Sequence, residues 1–175
     1  MNSARMKHAL PNGRRTKKAL CLILLLIALV LSGCGARVPA RGSTPLPPIR
    51  ASANDVLFRA ISLVGTPYRY GGNTPQGGFD CSGLIGYVFS DVAGARLPRS
   101  ADGIADLAAP KVPREQLASG DLVFFRDSGR INHIGIYVGE GRFVHAPSSG
   151  GTVRLDALDG DYWRDHYAGA KRVLQ

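Results

Sequence analysis

The chain has 175 residues, 45% of them apolar, which is enough for one packed domain and short for two. A net charge of +9 raises the question of a nucleic-acid partner, and the distribution of charge argues against one. Six of the 22 Lys and Arg residues fall within residues 1–34, which hold no acid; the other 16 are interspersed with all 13 Asp and Glu and form no basic block.

Residues 1–18 are polar and basic. From Ala19 to Leu31 the chain is apolar for 13 residues, short of the ~20 that span a bilayer. A basic flank, a short apolar core and small residues after it read as a secretory signal. Its end, Leu31-Ser32-Gly33-Cys34, resembles the bacterial lipoprotein signal. That resemblance implies a lipidated Cys34 as the first mature residue, where the alternatives are an ordinary cleaved signal or a short membrane anchor. Gly35, not Asp, follows, which implies an outer-membrane lipoprotein with its domain facing the periplasm. Residues 35–53 contain Pro39, Pro45, Pro47 and Pro48 and no hydrophobic period, so they read as a semi-extended tether. The expected division is a signal over 1–33, a lipidated tether over 34–53 and a folded domain over 54–175.

Three cysteines are present: Cys21, Cys34 and Cys81. With the leader removed and Cys34 lipidated, Cys81 is the one thiol the domain can use internally. An intradomain disulfide and a four-cysteine zinc site are both excluded.

In the domain, Asn54 is a capping residue type ahead of Val56, Leu57, Ala60, Ile61 and Val64, which predicts a helix stopped by Gly65. Residues 66–78 hold two Gly-Gly pairs and two prolines, and predict a loop without regular structure. A second helix is predicted over 81–93, with Asp80 as its cap and Gly94 as its stop. Ser100 can cap a short helix running to Leu107. After Gly120 the period changes to that of strands: 121–126, 131–138, 143–146 and 152–155, with 168–174 closing the sheet. Helices first and an antiparallel sheet after them make the fold α+β.

Cys81 at the start of a helix is placed for nucleophilic chemistry. Unsatisfied N–H groups and the helix dipole are expected to lower its pKa, and an imidazolium lowers it further. His133 and His145 lie on successive predicted strands. His133 is the candidate base, and His145 the third member that orients it. This requires both rings on one face of the sheet. A two-residue loop, Glu140-Gly141, sends them to opposite faces. A three-residue loop puts Gly141 in the left-handed position and His145 opposite Gly135, diagonal to His133 at roughly 7–8 Å. The three-residue loop is therefore expected. His166 lacks such a partner and reads as structural, and His8 lies in the leader.

Six segments occur in order: Gly65-Thr-Pro-Tyr-Arg-Tyr-Gly-Gly72, Phe79-Asp-Cys-Ser-Gly83, Leu97-Pro-Arg-Ser100, Gly120-Asp-Leu-Val-Phe-Phe125, Asn132-His-Ile-Gly-Ile-Tyr-Val-Gly139 and Val144-His-Ala146. Together they resemble the NlpC-type cell-wall endopeptidases, over about residues 54–175. The resemblance implies a compact papain-like fold with N-terminal helices packed on a central antiparallel β-sheet. It implies a peptidoglycan hydrolase that cuts stem peptides or cross-links with Cys81 as nucleophile, His133 as base and His145 as third polar residue. It also implies substrate-binding roles for Tyr68, Asp80, Ser82, Arg99 and Ser100. No metal or organic cofactor, no nucleic acid and a monomeric state are expected, with the membrane reached through the lipid on Cys34. The rival readings are a non-catalytic peptidoglycan-binding lipoprotein, a related thiol amidase or acyltransferase, and a metal site built from the same cysteine and histidines.

Overall fold

The computed structural model describes residues 51–149 and 151–174. The predicted signal, the tether up to residue 50 and the lipidation site at Cys34 lie outside them.

Helix α1 spans Ala53–Ser62. Its cap is Ser52, not the expected Asn54: the Asp55 amide donates to the Ser52 hydroxyl, and the Asp55 carboxylate accepts from the Ser52 amide. This reciprocal pair satisfies two helix-end donors at once, which a lone Asn54 cap does not. The loop after α1 contains two short strands, β1 at Asn73–Thr74 and β2 at Gly78–Phe79, paired antiparallel where no regular structure was expected. Helix α2 spans Cys81–Ala93 between its Asp80 cap and a left-handed Gly94 at φ 62°, both as predicted. Helix α3 spans Ala101–Ala105 and is capped by Ser100.

Strands β3 (Lys111–Val112), β4 (Leu122–Asp127), β5 (Arg130–Gly139), β6 (Arg142–His145), β7 (Arg154–Ala157) and β8 (Tyr167–Lys171) make one antiparallel sheet in the order β3-β8-β4-β5-β6-β7. A six-residue helix, α4 (Asp161–His166), leads into β8 and was not anticipated from the sequence. The fold is α+β, as the order of elements implied. No helix of the described residues is long and apolar enough to cross a membrane.

Alternation along β5 and β6 splits the apolar residues between two faces. Ile134, Ile136 and Val144 join Leu84, Ile85, Val88 and Phe89 of α2 and Val56 and Ala60 of α1 in the main core. Val123, Phe125 and Phe143 form a second cluster with Leu158, against which Trp163 and Tyr167 pack. Arg59 ties α1 to α2 by donating to the Tyr87 hydroxyl at 2.7 Å and pairing with Asp91 at 2.7 Å. The functional candidates sit where α2 meets the sheet and where the second cluster wraps round β5 and β6.

Candidate active site

Asp80 builds the start of α2. One carboxylate oxygen accepts from the Gly83 amide at 2.6 Å and from the Ser82 hydroxyl at 3.0 Å. The other accepts from the Gly71 amide at 2.9 Å and from the Arg99 guanidinium at 3.3 Å. Arg99 also donates to the Gly71 carbonyl. One aspartate thus locks the glycine-rich loop, the Arg99 segment and the helix end together, and sets the position of the next residue, Cys81.

Cys81 is the one free cysteine among the described residues and is partly buried against the main core. The nearby backbone of Ser82 and Ile134 pulls its pKa down. The Ile134 contact places the thiol against β5, next in sequence to His133. Its pKa departs from expectation: burial first, and then the Asp80 charge, push the thiol up to about 11. The amides at the helix start act in the predicted direction and are outweighed, because desolvation penalises the thiolate and the capping group is itself an anion. At rest the thiol is protonated.

The β5–β6 hairpin brings His133 and His145 together on one sheet face. His133 Nε2 lies 2.8 Å from His145 Nδ1. The route differs from the expected one. Glu140 and Gly141 both have positive φ (51° and 69°) and make a two-residue turn, with Gly139 paired to Arg142. A bulge between Tyr137 and Gly139 then shifts the register, so Tyr137 pairs with Phe143 and Ile136 with Val144. The extra residue restores the parity that a two-residue turn alone would have lost.

His145 is fully buried. Its second nitrogen, Nε2, lies 3.0 Å from Asp156 Oδ2 on β7. Asp156 also accepts from the indole N–H of Trp163 at 2.8 Å, and Arg154 pairs with it through Nε and Nη2. The Trp163 ring stacks on His133, with centroids 5.1 Å apart, and meets His145 edge-on at 4.8 Å. Burial is the main force on both imidazoles. It lowers His133 to about 3, helped by His145, and His145 to about 4 against the opposing pull of Asp156. Burial raises the Asp156 carboxyl, but the donors Arg154 and Trp163 and the adjacent His145 outweigh it and hold the group below its usual range. Both rings are therefore neutral at physiological pH, beside a charged carboxylate.

The remaining predicted residues cluster with Cys81 and Asp80 or cap the next helix. Tyr68 packs on the core near Cys81, and burial and the neighbouring Cys81 raise its pKa. Ser82 is buried, and its hydroxyl is also within 3.1 Å of the Arg99 carbonyl. Ser100 caps α3, accepting from Gly103 at 3.2 Å. At His133 a cleft of about 330 Å³ opens, lined by Asn132, Pro147, Ser148, Arg154, Trp163 and His166 among others. His166 stacks on Tyr162 and donates from Nδ1 to its carbonyl. Among the described residues no group of three His, Cys, Asp or Glu side chains is arranged to hold a metal.

Asp156 and Trp163 were not picked out from the sequence. Asp156 follows Arg154 by two on a short strand, a pattern shared with any solvent-facing pair. Trp163 is the chain's single tryptophan, and that was the one available signal.

Known proteins resemble this chain in sequence and in fold. A family model described as the NlpC/P60 family matches residues 65–172. The murein DD-endopeptidase MepH of Escherichia coli K12 is 47% identical over 130 residues, covering 72% of this chain and 48% of MepH, so the chain spans about half of that relative. A protein named murein DD-endopeptidase MepS/murein LD-carboxypeptidase, also from E. coli K12, is 40% identical over 169 residues, covering 85% of this chain and 88% of its own. Among solved structures, an NlpC/P60 family protein from Bacillus cereus superposes with a TM-score of 0.66 at 30% identity, over 75% of this chain and 42% of that one.

Proposed function

The chain belongs to the NlpC/P60 family, and from that premise we propose that it is a cysteine peptidase hydrolysing amide bonds in peptidoglycan stem peptides or their cross-links. The observation that carries the reading is the 2.8 Å contact between His133 and His145 beside a thiol held at a helix start.

In this mechanism Cys81 Sγ attacks the amide carbonyl and passes its proton to His133. Thiol and imidazole are both neutral beforehand, so the transfer creates two opposite charges side by side, and their attraction offsets part of the cost of burying each. Backbone N–H groups at the start of α2 steady the oxyanion. His133 then protonates the leaving amine, and water, deprotonated by His133, hydrolyses the thioester. Tyr68 forms a wall of the substrate groove. Asp80 and Ser82 hold the stem peptide's free amine, and Arg99 and Ser100 shape the adjoining loop. The names of the two E. coli relatives favour the D-alanyl–diaminopimelate cross-link as the scissile bond over the γ-D-glutamyl–diaminopimelate bond. The leader supports a lipid on Cys34 and attachment to the outer membrane, with the domain acting as a monomer in the periplasm.

The test is mass spectrometry of purified muropeptides after digestion by wild type and by Cys81→Ala. Cross-linked dimers should become monomers with wild type only. Unchanged masses with the wild-type protein refute the peptidase reading, and cleavage by both proteins refutes the role of Cys81.

A further inference from the structure

The hydrogen-bonded pair His133–His145 does not end at His145. Asp156 Oδ2 collects the His145 ring, the Trp163 indole N–H and the Arg154 guanidinium. Trp163 and Arg154 can only donate. The carboxylate, held ionised by them, has no proton to offer, so the 3.0 Å contact is a bond only when His145 carries its proton on Nε2. In a neutral imidazole this leaves Nδ1 as a bare acceptor. The 2.8 Å contact is then a bond only when His133 donates to it from Nε2. His133 in turn is left with an unprotonated Nδ1, the nitrogen not used in the pair. From the carboxylate outward, the hydrogen bonds allow one tautomer of each ring.

We propose that Asp156 is a positioning residue, which fixes the tautomers of His145 and His133 so that His133 Nδ1 is free to take the Cys81 proton. The inference rests on the peptidase reading above and adds a fourth member to it. Trp163 and Arg154 also gain a role, since they hold the carboxylate in place and ionised. When His133 becomes positively charged during attack, the same carboxylate lies two bonds away along the chain and stabilises the charge. Asp156 touches neither the thiol nor the substrate.

Asp156→Asn tests this, because it keeps the size and the acceptor for Trp163 but offers an NH₂ group to His145. An amide that donates to His145 Nε2 reverses both tautomers and puts the His133 proton on Nδ1. In ¹⁵N-edited spectra of the wild-type protein at neutral pH, His133 should show a bare Nδ1 and a protonated Nε2. In Asp156→Asn this pattern should be lost or mixed. On muropeptides kcat should fall by roughly 10–100-fold or more with KM little changed, and Asp156→Glu should recover part of kcat and the wild-type tautomer. A wild-type His133 protonated on Nδ1 overturns the proposal, as does Asp156→Asn with wild-type kcat, or an Asp156→Glu no better than the Asn variant. If Asp156→Asn fails to fold, the wild-type spectrum and the Glu variant decide. Wild-type protein that cleaves nothing yet shows the expected tautomers would overturn the peptidase reading and leave the tautomer assignment standing.

Discussion

Asp80 acts on Cys81 in two opposing ways. As the cap of α2 it fixes the position of the residue that follows, and as an anion it disfavours the thiolate. Position and pKa are therefore separable. Asn caps a helix about as well as Asp, so Asp80→Asn should keep the bond to Gly83 while removing the charge. The pH midpoint for alkylation of Cys81 should move down from about 11, and the rate at pH 8 should rise. A midpoint that stays or moves up would show that burial alone, without the Asp80 charge, holds the thiol protonated. The residue types at Asp80, Cys81, His133 and His145 were legible in the sequence, because a cap and the residue after it are local features. The protonation of Cys81 was not legible. It depends on how much protein covers the thiol, and that cover comes from elements far away in the chain.

At the scale of elements, two close approaches matter. The first is between α2 and the glycine-rich loop. The Gly72 carbonyl accepts from the Asp80 amide at 3.1 Å, and a Cβ on Gly83 would collide with that same carbonyl oxygen. Backbone meets backbone there, so no side chain can move aside. Gly83→Ala should cost about 1–3 kcal/mol of stability, read as a lower urea midpoint, and should slow Cys81 chemistry because the helix start must shift. An unchanged midpoint would mean that the loop yields without cost. The second approach is the β5–β6 hairpin. A tight turn at residues 139–141 was readable, but as a three-residue loop and not as the two-residue Glu140-Gly141 turn that forms; the need for both imidazoles on one face was readable from their chemistry. The bulge at Val138 was not, since a bulge depends on which strand pairing is stable across the whole hairpin and not on the turn residues. Helix α4 was missed for a related reason. Six residues carry too little periodicity to declare a helix, and this one is held by Trp163 packing on Phe125, Phe143 and His133.

For the molecule as a whole, burying two neutral histidines links stability to pH. Unfolded imidazoles take up protons near pH 6.5, while in the folded chain His145 does so at about 4 and His133 at about 3. Between those values the unfolded state binds more protons. Stability should therefore be complete above about pH 6.5 and fall as the pH drops towards 4, in the same direction as the lowered Asp156 carboxyl acts. Urea melts at pH 7.5, 5.5 and 4.5 should show midpoints falling in that order, with a shallower decline in His145→Gln. Equal midpoints across the series would mean that the imidazoles are solvated in the folded protein.

The sequence by itself determined the class of fold, the cap and stop of α2, and the candidate residues Cys81, His133 and His145. Each rests on local rules: a cap precedes its helix, glycine permits positive φ, and alternation marks a strand. Tertiary structure alone decided the charge state of the site and the recruitment of Asp156 and Trp163. Burial and convergence arise when β7 and α4 pack beside β5 and β6, and no spacing along the chain encodes them. The leader and tether belong wholly to the sequence reading.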